Sequence, residues 1–178
     1  SEERKALVIH DYFVYEYEYD YENLLNGTLP NDSYRSGGLF LKGTGVCQAY
    51  AYGYKYIMNL LGIECHVTAS SGMGHAWNII KIDGSYYHVD CTWDDPVPDS
   101  LGKVCHAYFL VSDAAIQEAR LGTSVHYGWN LTELACDSKT YDDAYWVNTR
   151  SQIIIEDDYA YYIEGTSIYK RNLRDQSV

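Results

Sequence analysis

The chain has 178 residues, of which 47% are hydrophobic and 21% charged, a composition typical of one folded domain and not of a disordered segment. The formal net charge of −12 disfavours nucleic acid and anionic lipid as partners, because both carry negative charge. No apolar run approaches the roughly 18 residues that a membrane-spanning helix needs, so membrane insertion is not expected.

The first half of the chain predicts two helices. Residues 3–14 place their apolar side chains on one helical face. The alternating tyrosines and acids of residues 15–21 fit either an edge strand or an extended turn, and residues 26–38 are rich in turn-forming residues and predict a loop. Apolar residues recur at helical spacing over 46–61, and Gly62 follows as a C-terminal signal. Cys47 therefore lies in the first turn of a helix.

Strands follow this helix. Residues 63–69, 76–82 and 85–91 are predicted strands, and the Asp83-Gly84 pair predicts a tight hairpin turn between the last two. Residues 108–111 predict a further strand. Residues 113–121 predict a short helix capped by Ser112 or Asp113.

The C-terminal part differs in pattern. Residues 152–156 and 159–164 predict a β-hairpin, followed by a third extended stretch at 168–170. We therefore divide the chain into a main domain over residues 1–150 and residues 151–178. The second part is either an appended hairpin or the beginning of a β-module.

The five cysteines (Cys47, Cys65, Cys91, Cys105 and Cys136) are odd in number, so at least one thiol is unpaired. The sequence has no C-x-x-C motif and no zinc-like spacing of cysteine and histidine, so no metal is expected. Cys65 and Cys91 lie in apolar, strand-like segments and are predicted to belong to the core.

Cys47 is the candidate nucleophile. A free thiol is mostly protonated at neutral pH, and a helix N-terminus and a neighbouring imidazolium both favour the reactive thiolate. The main-chain N–H groups of Cys47 and Gln48 at the start of the helix are candidates for an oxyanion hole. The preceding glycines, Gly43 and Gly45, are predicted to let a substrate backbone approach closely. A cysteine in a helix is nevertheless more often a core residue.

His75 is the best placed of the six histidines, because it follows a glycine-containing loop and opens a strand. His66 lies in an apolar strand and is interpreted as structural. His106 and His126 have no supporting sequence context. A catalytic imidazole needs a group to orient it, and a turn at Asp83-Gly84 places Asp90 diagonally across the hairpin from His75, on the same face.

The residues from 43 to 95 resemble the core of the transglutaminase-like superfamily. The matching segments are Gly-Thr-Gly-Val-Cys-Gln-Ala-Tyr-Ala, Gly-His-Ala-Trp-Asn and Tyr-Tyr-His-Val-Asp-Cys-Thr-Trp-Asp-Asp-Pro. The resemblance implies an α+β, papain-like fold in which a helix carrying Cys47 packs on an antiparallel β-sheet. It also implies that Cys47 is the nucleophile, His75 the general acid and base, and Asp90 the orienting carboxylate. Animal members of the family use an upstream Trp near the oxyanion and calcium; this chain has no Trp before Trp77 and no calcium-loop pattern, so neither feature is carried over.

The implied activity is thiol-dependent acyl transfer on an amide of a protein, peptide or cell-wall peptide, without a cofactor and with hydrolysis favoured over crosslinking. The alternative is a non-catalytic module that binds peptide or glycan on the same fold. Trp93, Trp77 and Asp94 are predicted to wall the cleft, although the alternative for Trp77 is a core position. The resemblance also suggests an extracellular or cell-surface location.

Overall fold

This computed structural model describes residues 1–100, 102–120, 125–175 and 177–178. The helices in this part of the chain are α1 (Glu2–Glu16), α2 (Tyr21–Asn26), α3 (Ser36–Lys42), α4 (Cys47–Leu60), α5 (Cys91–Asp94) and α6 (Asp113–Ile116), with a 3₁₀ turn at Asn31–Tyr34. Two short strands, β1 (Glu18–Tyr19) and β2 (Thr44–Gly45), pair in parallel. None of the described helices has the length and hydropathy needed to cross a membrane.

The central sheet is antiparallel and has the order β3 (Cys65–Ser70), β4 (His75–Ile82), β5 (Ser85–Val89) and β6 (Phe109–Val111). The register of β4 with β5 aligns Ile82 with Ser85 and Asn78 with Val89. Asp83 and Gly84 both have positive φ, at 49° and 88°, as a tight hairpin turn of this kind requires. The predicted hairpin and its register are therefore confirmed, and the fold is of the α+β class.

Helix α4 packs on this sheet and forms the middle of the core. Its Tyr50 and Tyr54 are almost fully buried, and Tyr54 donates a hydrogen bond to the main-chain oxygen of Ala6 on α1, at 3.0 Å. Residues of the helix, the sheet and α1 share one apolar cluster. The predicted helix over 46–61 is confirmed within one residue at each end.

Two predictions about local structure need correction. The predicted loop over residues 26–38 was wrong at its C-terminal end, since α3 begins at Ser36 and contains Gly37 and Gly38. Packing against α4 and the 3₁₀ turn stabilises this helix despite its poor intrinsic propensity. The helix predicted over 113–121 ends at Ile116 with Ser112 as its cap; Leu121 lies outside the described residues.

A second sheet is formed by β7 (Ile154–Glu156), β8 (Tyr159–Glu164) and β9 (Ser167–Asn172), all antiparallel. The predicted hairpin is confirmed, and the predicted third extended stretch at 168–170 lies within β9. Ala160 and Tyr162 of β8 belong to the same apolar cluster as α4. The division of the chain at residue 150 remains a prediction.

Candidate active site

Cys47 is the first residue of α4 and is half-buried. The helix begins there because Val46 is extended, with φ −103° and ψ 176°. The main-chain oxygen of Val46 accepts from the N–H groups of Ala49 and Tyr50, at 2.8 and 3.3 Å. The N–H groups of Cys47 and Gln48 have no acceptor within the helix, as is normal for a first turn. They therefore lie where an oxyanion hole beside Cys47 would need them.

Gly45 has a different role from the predicted one. It is buried, and a Cβ atom at this position would lie 2.9 Å from the Ala49 Cβ and 3.1 Å from the Leu39 Cδ1. The glycine thus allows β2 to pass close to α3 and α4. A buried residue cannot receive a substrate backbone, so that interpretation of Gly45 was wrong.

His75 opens β4, and its Nε2 lies 2.6 Å from Asp90 Oδ2. Asp90 follows the last residue of β5 and caps α5, accepting from the main-chain N–H groups of Thr92 and Trp93 through Oδ1, at 3.0 and 3.2 Å. The hairpin and the helix cap together fix the carboxylate beside the imidazole. With Nε2 engaged, Nδ1 is the ring nitrogen left for the Cys47 thiol, which interacts with the imidazole.

His75 and Asp90 each shift the pKa of the other in the direction that favours the charged form. Burial lowers the pKa of His75, but the charge and hydrogen bond of Asp90 and the interaction with the Cys47 thiol outweigh it and raise the pKa to about 10. Burial alone would raise the pKa of Asp90, yet His75 and His126 hold it well below its usual range. At neutral pH the pair is an imidazolium beside a carboxylate, the state that favours a neighbouring thiolate.

His126 is a residue that the sequence analysis missed. Its side chain is fully buried, and its Nε2 lies 2.8 Å from Asp90 Oδ2, the same oxygen that His75 contacts. The two histidines are separated by 51 positions in sequence, and no hairpin relates them. Only the approach of the chain after α6 brings His126 to the carboxylate.

Tyr19 was also missed. It lies in β1 opposite Gly45 of β2, two residues before Cys47, and is half-buried. Burial and then the proximity of Cys47 raise the pKa of the Tyr19 phenol to about 12, while the main chain of Cys47 acts in the opposite direction. The alternating Tyr and acidic residues contained this tyrosine, but not the parallel pairing that positions it.

Of the three residues predicted to wall the cleft, two lie in the core. Trp93 is partly exposed and stacks on His75, with ring centroids 5.4 Å apart at 28°. Trp77 is 1% exposed and donates from Nε1 to His88 Nδ1, at 3.0 Å. Asp94 is fully buried and accepts from the Tyr108 main-chain N–H, at 3.1 Å. Neither Trp77 nor Asp94 can wall a cleft, because both are enclosed by the core.

Asp94 belongs to a buried polar network behind the site. His10 bridges Asp94 Oδ2 and Asp11 Oδ1, at 3.1 Å each, and His106 Nε2 lies 2.7 Å from Asp11 Oδ1. Thr149 contacts the second nitrogen of His106 at 2.8 Å. His106 therefore has a structural partner that its sequence neighbourhood did not reveal. His66, by contrast, is partly exposed on β3 and pairs with Glu64 at 2.9 Å.

A cavity of about 820 Å³ is lined in part by Trp93. Three basic side chains line it: Lys103, Arg120 and Arg150. Asp95 also lines it, but burial raises the pKa of that carboxyl to about 8, even though Tyr50 donates a hydrogen bond to it at 2.7 Å. The cavity is therefore locally positive at neutral pH in a chain whose net charge is negative.

Three clusters in the described part of the chain bring together side chains of metal-ligating type. They are His10, Asp11 and His106; His75, Asp90 and His126; and His88, Asp113 and Cys136. Within the clusters, nitrogen–oxygen separations such as 2.6 and 2.8 Å at Asp90 are those of hydrogen bonds. All five cysteines are free thiols, and the predicted core positions of Cys65 and Cys91 are confirmed.

Two solved structures are similar to parts of this chain. One, described as a TGase, covers 47% of this chain and 24% of its own length, with 16% identity and a TM-score of 0.41. The other is a candidate cysteine protease from Cytophaga hutchinsonii, which covers 53% of this chain and 32% of its own, with 20% identity and a TM-score of 0.40. This chain thus spans about a quarter to a third of their lengths. No curated protein matches the sequence significantly.

The model of the transglutaminase-like superfamily matches residues 1–91, just over half of the chain. The matched segment includes α4 with Cys47, the hairpin with His75, and Asp90. The chain belongs to the transglutaminase-like superfamily.

Proposed function

We propose that the protein is a cysteine-dependent enzyme that transfers the acyl group of an amide through a thioester on Cys47. Membership of the superfamily supports cysteine-based catalysis. The observation that carries the proposal is the 2.6 Å contact between His75 Nε2 and Asp90 Oδ2, beside a thiol at a helix N-terminus. A purely binding domain needs no ion pair of this kind beside a half-buried cysteine.

The first step forms the acyl-enzyme. The Cys47 thiolate attacks the amide carbonyl, a carbon–sulfur bond forms, and the oxygen becomes an oxyanion. The main-chain N–H groups of Cys47 and Gln48 stabilise that charge, together with the Tyr19 phenol. The oxyanion then returns its electrons to the carbonyl, the carbon–nitrogen bond breaks, and the His75 imidazolium gives its proton to the leaving amine.

The second step regenerates the thiol. Neutral His75 takes a proton from an acceptor, the acceptor attacks the thioester, and the thiolate leaves beside the re-formed imidazolium. Water as the acceptor gives hydrolysis, and a primary amine gives a new amide. We favour hydrolysis, because an amine competes with water only where the protein concentrates it or excludes water.

The positive cavity that Trp93 helps to line suggests the substrate class. Trp93 both stacks on His75 and lines the cavity, so a substrate that extends past this ring reaches Lys103, Arg120 and Arg150. Arginine and lysine side chains bind carboxylates by charge-assisted hydrogen bonds. We propose a peptide-like amide with a carboxylate close to the bond that is cleaved.

An activated acyl donor tests the chemistry without knowledge of the natural substrate. N-acetyl amino-acid p-nitrophenyl esters should acylate Cys47, and mass spectrometry of the intact protein and its peptides would locate the adduct. Cys47→Ala should abolish the adduct, and Cys65→Ala, which changes a buried thiol, should retain it. If the acyl group leaves Cys47 as the free acid in the presence of cadaverine, hydrolysis is supported. If it leaves as the cadaverine amide, transfer to an amine is supported.

The result that contradicts the proposal is an unmodified Cys47, or equal acylation of the native protein and His75→Ala. The substrate class is tested separately with paired peptides that end in a carboxylate or a carboxamide. Arg150→Ala should raise KM for the carboxylate peptide at least about threefold more than for the carboxamide, in keeping with the loss of one charge-assisted contact. Equal effects on both peptides would remove the cavity from substrate recognition.

A further inference from the structure

The Asp90 carboxylate is shared by four donors. Oδ1 accepts from the main-chain N–H groups of Thr92 and Trp93, and Oδ2 is contacted by His75 Nε2 at 2.6 Å and by His126 Nε2 at 2.8 Å. The main-chain bonds alone fix the position of the carboxylate at the cap of α5. The second imidazole is therefore not needed simply to hold Asp90 in place.

The hydrogen bonding of His126 identifies its tautomer. A carboxylate oxygen only accepts, so Nε2 must carry the proton that it shares with Asp90. The other ring nitrogen, Nδ1, is buried and has no hydrogen-bond partner among the described residues.

Aromatic rings surround this imidazole. The ring centroids of Trp93, Trp77 and Tyr108 lie 4.0, 4.8 and 5.2 Å from that of His126. The ionisable groups that face it are Asp90 and His75 on the hairpin, His88 on β5, and the Tyr108 phenol next to β6. Such an enclosed site strengthens each hydrogen bond to the carboxylate, because water does not compete.

We propose that His126 is a positioning residue of the same site. Its Nε2–H donates a hydrogen bond to Asp90 Oδ2, the oxygen that also accepts from His75. This second hydrogen bond weakens the interaction by which the carboxylate retains the proton on His75. The inference rests on the proposed function, since the proton of His75 matters for catalysis only if His75 transfers it. A carboxylate that serves His75 alone would hold the imidazolium more tightly and make it a poorer acid toward the leaving amine.

The test is an NMR titration of the imidazole nitrogens in protein labelled with ¹⁵N-histidine. His126→Phe keeps a ring among the aromatic neighbours and removes the donor, so His75 should titrate about half a pH unit or more above its native value. His126→Gln keeps an N–H close to the original position and should leave the titration of His75 near its native value. His106→Gln is the control, because His106 is equally buried and contacts a different carboxylate, Asp11, at 2.7 Å.

The proposal is overturned if His75 titrates alike in the native protein and in His126→Phe, or if His106→Gln moves its titration as much. The nitrogen shifts of the unmodified protein give a second test that needs no variant. They should show His126 protonated on Nε2, and a ring protonated on Nδ1 alone would refute the inference even if His126→Phe fails to fold.

These results separate the inference from the proposed function. An inert Cys47, with the expected response of His75 to the His126 variants, would refute the enzyme and leave the shared carboxylate as a structural feature. A Cys47 that forms the acyl adduct, with a His75 unaffected by His126, would support the enzyme and refute this role of His126.

Discussion

At the scale of single residues, the Tyr19 phenol lies beside the first turn of α4. Its pKa is raised to about 12, first by burial and then by Cys47, so the phenol keeps its proton at neutral pH. A protonated phenol has an O–H to donate. That O–H is suited to an oxyanion on the acyl carbon, where animal members of the superfamily use an upstream Trp.

Tyr19→Phe should lower kcat by about 10²-fold, the usual effect of removing one oxyanion donor, with little change in KM. Steady-state kinetics with the p-nitrophenyl esters measure both constants. Tyr21→Phe is the control, because Tyr21 is 44% exposed at the start of α2. A kcat within twofold of the native value in Tyr19→Phe would exclude the phenol from the reaction.

At the scale of elements, the crossing of β2 with α3 and α4 sets the start of the helix that carries Cys47. A Cβ atom at Gly45 would lie 2.9 Å from the Ala49 Cβ and 3.3 Å from the Ser33 main-chain oxygen. Real side chains do not pack so closely, so a methyl group here must push the elements apart. The position of Cys47 therefore depends on a glycine two residues before it.

Gly45→Ala should lower the free energy of unfolding by about 1–3 kcal/mol, as overpacking usually does, and should slow the acylation of Cys47. Gly37→Ala is a matched control, because Gly37 lies in helix α3 and a Cβ there would meet nothing within 4 Å. That variant should be neutral or more stable than the native protein. Urea unfolding curves that coincide for the two variants would show that the crossing at Gly45 is not tight.

The buried network behind the site predicts a dependence of stability on pH. Burial lowers the pKa of His10, but its bonds to Asp11 and Asp94 outweigh this and raise it to about 9. Burial raises the pKa of Asp11, but His106 and His10 outweigh this and lower it to about 2. The contribution of His10 to the free energy of unfolding is full below about pH 6.5 and is lost as the pH rises through about 9. The contribution of Asp11 is full above about pH 4 and is lost as the pH falls toward 2.

Stability should therefore be greatest between about pH 4 and 6.5 and fall on both sides. Asp11→Asn should lower the free energy of unfolding by about 3–5 kcal/mol, because it removes the buried carboxylate that contacts both His10 and His106. Asp32→Asn removes an exposed carboxylate paired with Lys42 at 2.6 Å and should change little. Denaturant unfolding from pH 3 to 9 measures the free energy of unfolding of the native protein and of both variants. Similar pH curves for Asp11→Asn and Asp32→Asn would contradict the stabilising role of Asp11 in the buried network.

At the scale of the whole molecule, local signals predicted the elements that carry the proposed triad. The Asp83-Gly84 turn fixed the register of the hairpin, and the apolar spacing with Gly62 located α4, so Cys47, His75 and Asp90 could be placed from short stretches of sequence. Tertiary packing decided the rest. Helix α3 forms despite two glycines in its first turn, which propensity alone does not favour.

Contacts between distant segments escaped the sequence analysis for a related reason. His126 reaches Asp90 across 36 positions, and His106 reaches Asp11 across 95. No periodic pattern or turn relates such pairs. The same holds for Asp94, which was predicted to wall the cleft. Its partners on α1 and near β6 enclose it in the core.

The most direct test of the account is the rate at which iodoacetamide alkylates Cys47 as a function of pH, in the native protein and in His75→Ala. Peptide mapping separates Cys47 from the other four thiols, all of which are buried. His66→Ala on the neighbouring strand β3 serves as the control. The account predicts that native Cys47 reacts well below pH 8, that His75→Ala slows this reaction roughly tenfold or more near pH 6, and that His66→Ala does not. A Cys47 that reacts only above pH 8, at the same rate in all three proteins, would contradict the thiolate–imidazolium pair and with it the enzyme.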